Sequence, residues 1–224
     1  MSTDNYIRVV LVASGNGTDA SAVMSAFKAR QLIVRCQVVA LLSTKPGAGC
    51  LQLAEGFNIP THVIARQGKS EDEFASEITR WLTEGVNVQL VFLLGCIHKM
   101  PVPPGIRMYN IHPADPHRHG GDKMYGLVVH QHVLTAILDE IGRGQSQLTD
   151  RFFTYPTVHE VTADYDQGLP LLIAPVEIPT AIISTAQVDL AYAATQLQKL
   201  VLPCEHLMLP VAVNLACQRL LVQS

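Results

Sequence analysis

Apolar residues along the first hundred positions follow two alternating patterns. Short, nearly continuous runs rich in Val, Ile and Leu are typical of strands buried on both faces. Longer stretches with apolar residues three and four positions apart are typical of helices packed on one side. The predicted strands are 7–13, 38–42, 61–64 and 88–94, and the predicted helices are one that begins after Asp19, 47–56 and 71–84. This alternation predicts an α/β fold with a doubly wound, mostly parallel twisted sheet.

The second half of the chain has a different pattern. A Gly/Pro-punctuated loop (95–105) leads into a short predicted strand (108–111), which is followed by a loop rich in His, Gly and Pro (112–122). The remaining predicted elements are a helix at 123–141, two strands around a turn at 152–162 and 170–178, and helices at 189–200 and 206–222. The strand pair predicts an antiparallel C-terminal portion. Functional residues are common in loops such as 95–105 and 112–122.

Length and composition narrow the classes of protein. A chain of 224 residues is the size of one domain, and 48% hydrophobic with 16% charged residues favours a compact core over disorder. The net charge of -3 and the lack of a basic run argue against a nucleic-acid partner. No uninterrupted apolar run approaches the ~20 residues of a membrane-spanning helix. The N-terminus lacks the pattern of a secretory signal, so we expect a cytoplasmic location and no membrane partner.

Neither the cysteines nor the histidines predict a metal site. The cysteines lie far apart, without the two-residue spacing typical of a zinc or redox pair, at Cys36, Cys50, Cys96, Cys204 and Cys217. Four histidines cluster at His117, His119, His130 and His132. Each pair is spaced by two residues, and side chains two positions apart on a helix diverge. We therefore expect reduced thiols and no metal.

A glycine-rich turn separates the first predicted strand from the first predicted helix. It reads Gly15-Asn16-Gly17-Thr18. Unpaired backbone N–H groups at a helix start favour an anion, and glycine lets the backbone approach it closely. The turn lacks the Gly-Lys-Ser/Thr ending of a nucleotide-binding loop. It is a candidate phosphate site, and a tight strand-to-helix turn without a ligand is the open alternative.

Asn110 and His112 end the predicted strand 108–111. Because side chains alternate along a strand, these two point to the same side. A carboxamide N–H can stabilise a developing oxyanion, and an imidazole can transfer a proton near neutral pH. The pair therefore predicts acyl chemistry, with a structural histidine as the alternative.

A third candidate is Asp166, in the turn Asp164-Tyr165-Asp166-Gln167-Gly168 between two predicted strands. A carboxylate there could orient His112 and assist removal of a proton from an attacking amine. Asp and Gly are also ordinary turn formers, so spacing alone leaves a purely structural role open.

Taken together, these segments resemble the glycinamide ribonucleotide formyltransferase family. The matching segments follow one order along nearly the whole chain: 9–18, 91–100, Asn110-Ile111-His112-Pro113, 157–159, 166–172 and Glu205-His206 before Pro210. Residues 120–126 resemble a subset of this family with a Gly-Gly-Lys-Gly-Met-Tyr-Gly segment. The resemblance implies a Rossmann-like formyltransferase fold in one domain, 1–224, with a phosphate-binding half (1–109) and a catalytic and folate-binding half (110–224).

The resemblance also implies an activity and a role for each matching residue. The reaction would transfer a formyl group from 10-formyltetrahydrofolate to the primary amine of a phosphorylated ribosyl glycinamide in purine synthesis. Asn110, His112 and Asp166 would be catalytic. Gly15, Asn16, Gly17 and Thr18 would bind the phosphate, and Glu205 the ribose. Folate would contact Cys96, Ile97, His98, Lys99 and Met100 on one side, and Ala163, Asp164 and Tyr165 on the other.

Several segments differ from the family pattern. Residues 114–119 carry charge and imidazole where the family has two leucines, Ile97-His98 replaces Met-Arg, and the turn after Asp166 has an extra residue near Leu169. Asp19 stands where the family has Asn. Two alternatives therefore stay open: a related formyltransferase that acts on another amine, such as an amino sugar, and a catalytically weak ligand-binding protein. The sequence also leaves open whether the chain forms a homodimer.

Overall fold

The computed structural model describes residues 6–31, 35–96 and 98–223. The strands are β1 (Ile7–Val12), β2 (Cys36–Ser43), β3 (Thr61–Val63), β4 (Leu90–Leu93), β5 (Arg107–His112), β6 (Phe152–Thr154), β7 (Thr157–Glu160), β8 (Pro170–Ile173) and β9 (Val176–Ile178). The helices are α1 (Thr18–Lys28), α2 (Gly49–Gly56), α3 (Glu71–Arg80), α4 (Pro116–His119), α5 (Leu127–Gly142), α6 (Thr180–Ala186) and α7 (Leu190–Gln223). A wider π-type turn, Trp81–Gly85, continues α3.

The main sheet has the strand order β3-β2-β1-β4-β5-β7-β8. Strands β1 to β5 are parallel, whereas β7 and β8 pair antiparallel with their neighbours. The prediction of a doubly wound, mostly parallel sheet with an antiparallel C-terminal portion is confirmed. The chain order reverses between β1 and β4, and such a switch point opens a crevice at the carboxyl ends of the strands.

The two central strands are buried on both faces, which explains their continuous apolar sequence. Val9 and Leu11 of β1 pack into a core shared with α1, α2 and α7, and the alternate residues Val10 and Val12 pack into a second core with α3. Because both faces of these strands are covered, it is at the polar ends of the strands that functional residues can reach solvent.

The predicted strands 152–162 and 170–178 each form two shorter strands. β6 and β9 pair with each other in a separate two-stranded sheet, and β7 and β8 join the main sheet. Pro156 and Pro175 lie at the two breaks, where a residue without an N–H cannot continue a ladder. The sequence analysis also missed two short helices, α4 and α6.

The two helices predicted at 189–200 and 206–222 form one continuous helix, α7, with Pro203 and Pro210 inside it. Among the described residues, it is the one helix long and apolar enough to cross a membrane, with 44% of its most apolar window buried. It packs against α1, α5 and α6 and carries the buried Glu205. The sequence analysis counted only uninterrupted apolar runs and so did not identify this helix as one that could span a membrane. The membrane and compartment predictions stay predictions.

Candidate active site

A cavity of about 640 Å³ opens at the carboxyl ends of β1, β4 and β5. It is lined by the turn after β1, the loop after β4, the end of β5, the loop before α5 and the loop between β7 and β8. Its volume is in the range of small-molecule sites. It lies at the switch point of the sheet, where ligands of open α/β sheets bind.

The structure brings the three predicted catalytic residues together on this cavity. Asn110 and His112 are two positions apart on β5 and both line it. Asp166 reaches the same place from the loop between β7 and β8, with Oδ2 3.9 Å from Nδ1 of His112. Residues 54 positions apart in sequence thus meet because β5 and β7 are antiparallel neighbours.

His159, the cross-strand partner of Asn110 on β7, supports both Asn110 and Asp166. Its Nδ1 lies 2.9 Å from the carbonyl oxygen of Glu160. Its Nε2 lies 3.4 Å from Oδ1 of Asp166 and 3.3 Å from Nδ2 of Asn110. The carboxamide has two N–H groups, and this contact uses one of them. Its orientation is therefore fixed while one donor is left for a ligand.

The segment 114–119 positions His112 from the other side. Nε2 of His112 lies 3.0 Å from the carbonyl oxygen of His119, the last residue of α4. Asp115 caps α4 by accepting from the backbone N–H of His117 at 3.0 Å, and Pro116 occupies the first turn. Because a carbonyl can only accept, Nε2 carries the proton of the neutral ring. Nδ1 therefore presents its lone pair toward Asp166.

Burial and charge set the protonation of this pair. Burial lowers the pKa of His112 more than the nearby Asp166 carboxylate raises it, so the neutral ring predominates at neutral pH. Burial by itself would raise the pKa of Asp166. The contact with His159, at 3.4 Å, the Gly121 backbone N–H, at 2.9 Å, and His112 together hold that pKa below its usual value. A neutral imidazole thus faces an ionised carboxylate.

The loop that carries Asp166 is tightly packed. Asp166 has φ +55°, a left-handed conformation that Asp tolerates better than most residues. A Cβ on Gly120 would lie 2.6 Å from Cβ of Asp166, and one on Gly168 would lie 1.8 Å from the carbonyl oxygen of Glu160. These two glycines allow the close approach that brings the carboxylate to His112.

The predicted phosphate-binding residues Gly15, Asn16, Gly17 and Thr18 all line the cavity. Gly17 has φ +78°, and a Cβ there would lie 2.5 Å from Cβ of Cys50 on α2. The backbone N–H of Cys50 donates to the carbonyl oxygen of Gly15 at 3.1 Å. The turn is therefore braced by α2, and it presents the start of α1, whose first-turn N–H groups lack intrahelical partners.

An acidic cluster formed by Asp19 and Glu205 lies beside this turn. The sequence analysis predicted only Glu205 as a site residue. Glu205 is 7% exposed and lines the cavity, and burial together with Asp19 raises its pKa to about 8. Asp19 also lines the cavity, and burial raises its pKa although His206, 3.4 Å away, acts in the opposite direction. The Asp19–His206 pair joins α1 to α7, residues 187 positions apart, and no sequence pattern predicted it.

The predicted folate-binding residues fall into three groups. Cys96, His98, Lys99, Met100, Asp164 and Tyr165 line the cavity. Ala163 is exposed and is not among the lining residues, because it lies in the bend between Thr162 and Asp164. Ile97 lies outside the described residues. Nζ of Lys99 lies 5.4 Å from the ring centre of Tyr165, so the two loops contact each other at the cavity.

The four histidines that cluster in the sequence do not form one group in the fold. His119 and His132 meet with their Nδ1 atoms 3.2 Å apart, His117 is exposed, and His130 is buried against the cavity. In the described parts of the chain, no three His, Cys, Asp or Glu side chains are grouped as metal ligands would be. The absence of a metal stays a prediction. His130 as a cavity residue was not predicted, since the sequence analysis considered it only as a metal ligand.

Comparison with known proteins identifies the family of this chain. The formyl transferase family model matches residues 7–201. The chain is similar to a phosphoribosylglycinamide formyltransferase of Dictyostelium discoideum (24% identity over 181 residues, 66% of this chain and 84% of the relative). It is also similar to the trifunctional purine biosynthetic protein adenosine-3 of Drosophila melanogaster (32% identity over 113 residues, 48% of this chain), and the match spans only 8% of that longer protein.

Solved structures agree with the sequence match. The fold is similar to phosphoribosylglycinamide formyltransferase from Brucella melitensis, with a TM-score of 0.71 and 26% identity, covering 95% of this chain and 96% of the other. Glycinamide ribonucleotide transformylase 1 from Symbiobacterium toebii has a TM-score of 0.72 and 22% identity, with 96% and 90% covered, and shows the same fold. The resemblance drawn from the sequence motifs is confirmed, and the chain belongs to the formyl transferase family.

Proposed function

We propose that this chain transfers the formyl group of 10-formyltetrahydrofolate to the primary amine of a phosphorylated ribosyl glycinamide, a step of purine synthesis. The observation that carries the proposal is the convergence of Asn110, His112 and Asp166 on one cavity that also holds a glycine turn at a helix start. The relatives in Dictyostelium and Brucella bear the name of this activity.

The donor supplies an activated formyl group bound to nitrogen, and the acceptor supplies a primary amine. The amine nitrogen attacks the formyl carbon, and the carbonyl oxygen gains negative charge. The N–H of Asn110 that His159 does not engage is the donor best placed to stabilise this oxygen. When the carbon–nitrogen bond to the donor breaks, the donor nitrogen takes a proton and the acceptor becomes a formamide.

His112 accepts the proton that the attacking amine must lose. Its Nδ1 carries the lone pair of the neutral ring, since Nε2–H donates to the His119 carbonyl. Once Nδ1 takes the proton, the imidazolium faces the carboxylate of Asp166, which stabilises it. Asp166 thus orients the ring through charge, and the His119 carbonyl holds it through a hydrogen bond.

We assign the two substrates to opposite parts of the cavity. The acceptor phosphate binds at Gly15, Asn16, Gly17 and Thr18, and Glu205 contacts the ribose hydroxyls. The folate binds between Cys96, His98, Lys99 and Met100 on one side and Asp164 and Tyr165 on the other. This assignment follows the division into a phosphate-binding half (1–109) and a catalytic and folate-binding half (110–224). Glu205 is the exception, because it belongs to the second half but contacts the acceptor substrate. The fit of the folate rests on the two loops that meet at Lys99 and Tyr165.

The test is a formyl-transfer assay with purified protein and 10-formyltetrahydrofolate. The panel of acceptors holds phosphoribosyl glycinamide, an amino sugar phosphate and a small phosphorylated amine, and the readout is deformylated folate together with the mass of the formylated product. Turnover with phosphoribosyl glycinamide at the highest kcat/KM supports the proposal. Preference for another amine would indicate the related enzyme, and binding of either substrate without turnover would indicate a ligand-binding protein.

The remaining expectations are independent of this assay. A cytoplasmic location, the absence of a nucleic-acid or membrane partner, and a homodimer stay predictions. Sedimentation of the purified chain across a range of concentrations tests the oligomeric state.

A further inference from the structure

His132 and His119 contact each other beside the proposed catalytic site, and the mechanism uses neither imidazole. Their Nδ1 atoms are 3.2 Å apart, and the two rings are nearly perpendicular, with centroids 5.1 Å apart. His132 is exposed on α5, and His119 is the last residue of α4. Neither side chain lines the cavity. An effect of His132 on the reaction must therefore pass through His119.

The backbone of His119 reaches the site. Its carbonyl oxygen accepts a hydrogen bond from Nε2–H of His112 at 3.0 Å. Two residues further on, the backbone N–H of Gly121 donates to Oδ2 of Asp166 at 2.9 Å. The segment 119–121 thus contacts both members of the His112–Asp166 pair. Its position determines which nitrogen of the imidazole keeps the proton.

This segment depends on tertiary contacts for its position. α4 is a single turn of four residues, too short to be stable by itself. Its start is anchored, because Ala114 is buried in the third hydrophobic core and Pro116 is buried as well. Its end leads into Gly120 and Gly121, and Gly121 has φ +120°. Since glycine allows the backbone many conformations, the His119 carbonyl needs an anchor at this end of the turn.

His132 provides that anchor from a rigid helix. Its neighbours Val133 and Leu134 are buried in the core that α5 shares with α6 and α7. One of the two imidazoles carries a proton on Nδ1 and donates to the lone pair on Nδ1 of the other. Burial and, to a lesser degree, His132 and Arg118 lower the pKa of His119 to about 4. The doubly protonated pair, which could not form this hydrogen bond, therefore does not arise near neutral pH.

A second contact between the same helices is weaker. Arg118 of α4 and Glu140 of α5 form an ion pair with 3.7 Å between Nη2 and Oε1, and their side chains are 65% and 38% exposed. Exposed ion pairs contribute little, because water screens the charges and two long side chains lose freedom. The histidine pair is shorter in reach and more direct, since it holds the residue whose carbonyl contacts His112.

We propose that His132 is a positioning residue: by holding the ring of His119, it keeps the His119 carbonyl on Nε2–H of His112 and leaves Nδ1 of His112 free to accept a proton. If the carbonyl moved away, the Asp166 carboxylate, 3.9 Å from Nδ1, would draw the ring proton to that nitrogen. Nδ1 would then carry a proton in place of its lone pair, and the base would be lost. The catalytic consequence rests on the proposed function, whereas the control of the tautomer does not.

A double-mutant cycle tests the contact. H132A and H119A each remove one ring, and a third variant carries both substitutions. For each single variant we expect a roughly three- to tenfold loss of kcat for formyl transfer, as for the loss of one hydrogen bond. The KM values for both substrates should not change, because neither side chain lines the cavity. The double variant should lose no more than either single variant, because each substitution breaks the same contact.

Three further variants separate this contact from a general effect on the helices. T135A removes another exposed side chain of α5, and E140Q removes the charge that pairs with Arg118. Both should match the unsubstituted protein. H132N should recover most of the loss, because its amide lies near the position of Nδ1 and can donate or accept.

A spectroscopic measurement reports the tautomer without turnover. In protein labelled with ¹⁵N-histidine, the ring nitrogen shifts of His112 show which nitrogen carries the proton, and comparison with H112N identifies these signals. The unsubstituted protein should show the Nε2–H form, and H132A should show an increased share of the Nδ1–H form. If H132A shifts the tautomer but the unsubstituted protein formylates no acceptor, only the proposed function fails.

Four results would overturn the role of His132. They are an unchanged His112 tautomer in folded H132A, an unchanged kcat of H132A when the unsubstituted protein is active, losses that add in the double variant, and an equal loss in T135A or E140Q. Far-ultraviolet circular dichroism and thermal unfolding report whether each variant folds. If H132A does not fold, the kcat and the His112 signals of H119A decide.

Discussion

His112 and Asp166 face one another at the cavity, with Nδ1 of the imidazole 3.9 Å from Oδ2 of the carboxylate. The opposite nitrogen of the ring donates to the His119 carbonyl at 3.0 Å. The ring is therefore held between a backbone acceptor and a charge, and only its protonated form can donate to both. In the proposed mechanism, this asymmetry lets His112 accept a proton and lets Asp166 stabilise the charged ring.

Replacing Asp166 by Asn tests that charge. Asn keeps the size of the side chain and tolerates φ +55°, so D166N should fold normally. We expect kcat for formyl transfer to fall by about 10²- to 10⁴-fold, the usual contribution of an assisted proton transfer. Steady-state kinetics and thermal unfolding are measured together, with D139N on the exposed face of α5 as the control. Activity within a few-fold of the unsubstituted protein would contradict the role of Asp166.

The pH dependence of kcat/KM should show an acid limb that belongs to His112. Protonation of Nδ1 removes the base, and burial lowers the pKa of this imidazole below its usual value of about 6.5. The limb should therefore lie below pH 6.5. Because the Asp166 carboxylate raises the pKa of His112, the residual activity of D166N should show a limb displaced to still lower pH. Assays cover pH 4.5 to 8, with recovery at pH 7.5 checked after each incubation. A limb at or above pH 6.5 would argue against His112 as the base.

Substitution of Gly17 should destabilise the glycine turn 15–18, whereas substitution of Gly15 should not. Ala at position 17 would adopt φ +78° and meet Cβ of Cys50 at 2.5 Å, so G17A should lose at least about 1–2 kcal/mol of unfolding free energy and raise the KM for the acceptor. A Cβ at Gly15 meets nothing within 4 Å. Urea denaturation compares G17A with G15A. Equal stability of the two would show that the turn is not braced by α2.

Glu205 should make the stability of the protein fall as pH rises. Its pKa is about 8 in the folded chain against about 4.3 in the unfolded chain, so the folded state binds more protons between these values. Its stabilisation is complete below the unfolded pKa and is lost progressively as pH rises through about 8. E205Q is neutral at every pH, and its unfolding free energy should fall less than that of the unsubstituted protein between pH 6 and pH 9. Urea denaturation at both pH values measures this, and E55Q on the exposed face of α2 is the control. Parallel losses in E205Q and the unsubstituted protein would mean that Glu205 is ionised throughout.

The sequence predicted the elements that depend on local pattern and short spacing. The continuous apolar runs of β1 and β4 predicted strands buried on both faces, and the alternation of Asn110 and His112 placed them on one side of β5. The glycine turn at 15–18 also followed from local chemistry, because a residue with positive φ was needed between a strand and a helix. The family resemblance rested on these same segments in their order along the chain.

The breaks and fusions of elements were not predicted, because they depend on packing. Two helices were predicted at 189–200 and 206–222, yet α7 continues across the gap and through Pro203 and Pro210, held by its contacts with α1, α5 and α6. Conversely, the strand predicted at 152–162 separates into β6 and β7, because β6 pairs with β9 away from the main sheet. Local propensity competes with tertiary contacts in such cases, and the contacts decide.

The amino-acid sequence by itself determined the α/β class, the parallel core, the family and the candidate catalytic side chains, because these follow from periodicity and short motifs. Only the tertiary structure decided that Asp166 meets His112, that the His119 carbonyl sets the tautomer of that ring, and that Asp19 contacts His206 and raises the pKa of Glu205 beside the glycine turn 15–18. These relationships join residues from separate strands, helices and loops, and their distances and burial follow from how the sheet and helices pack.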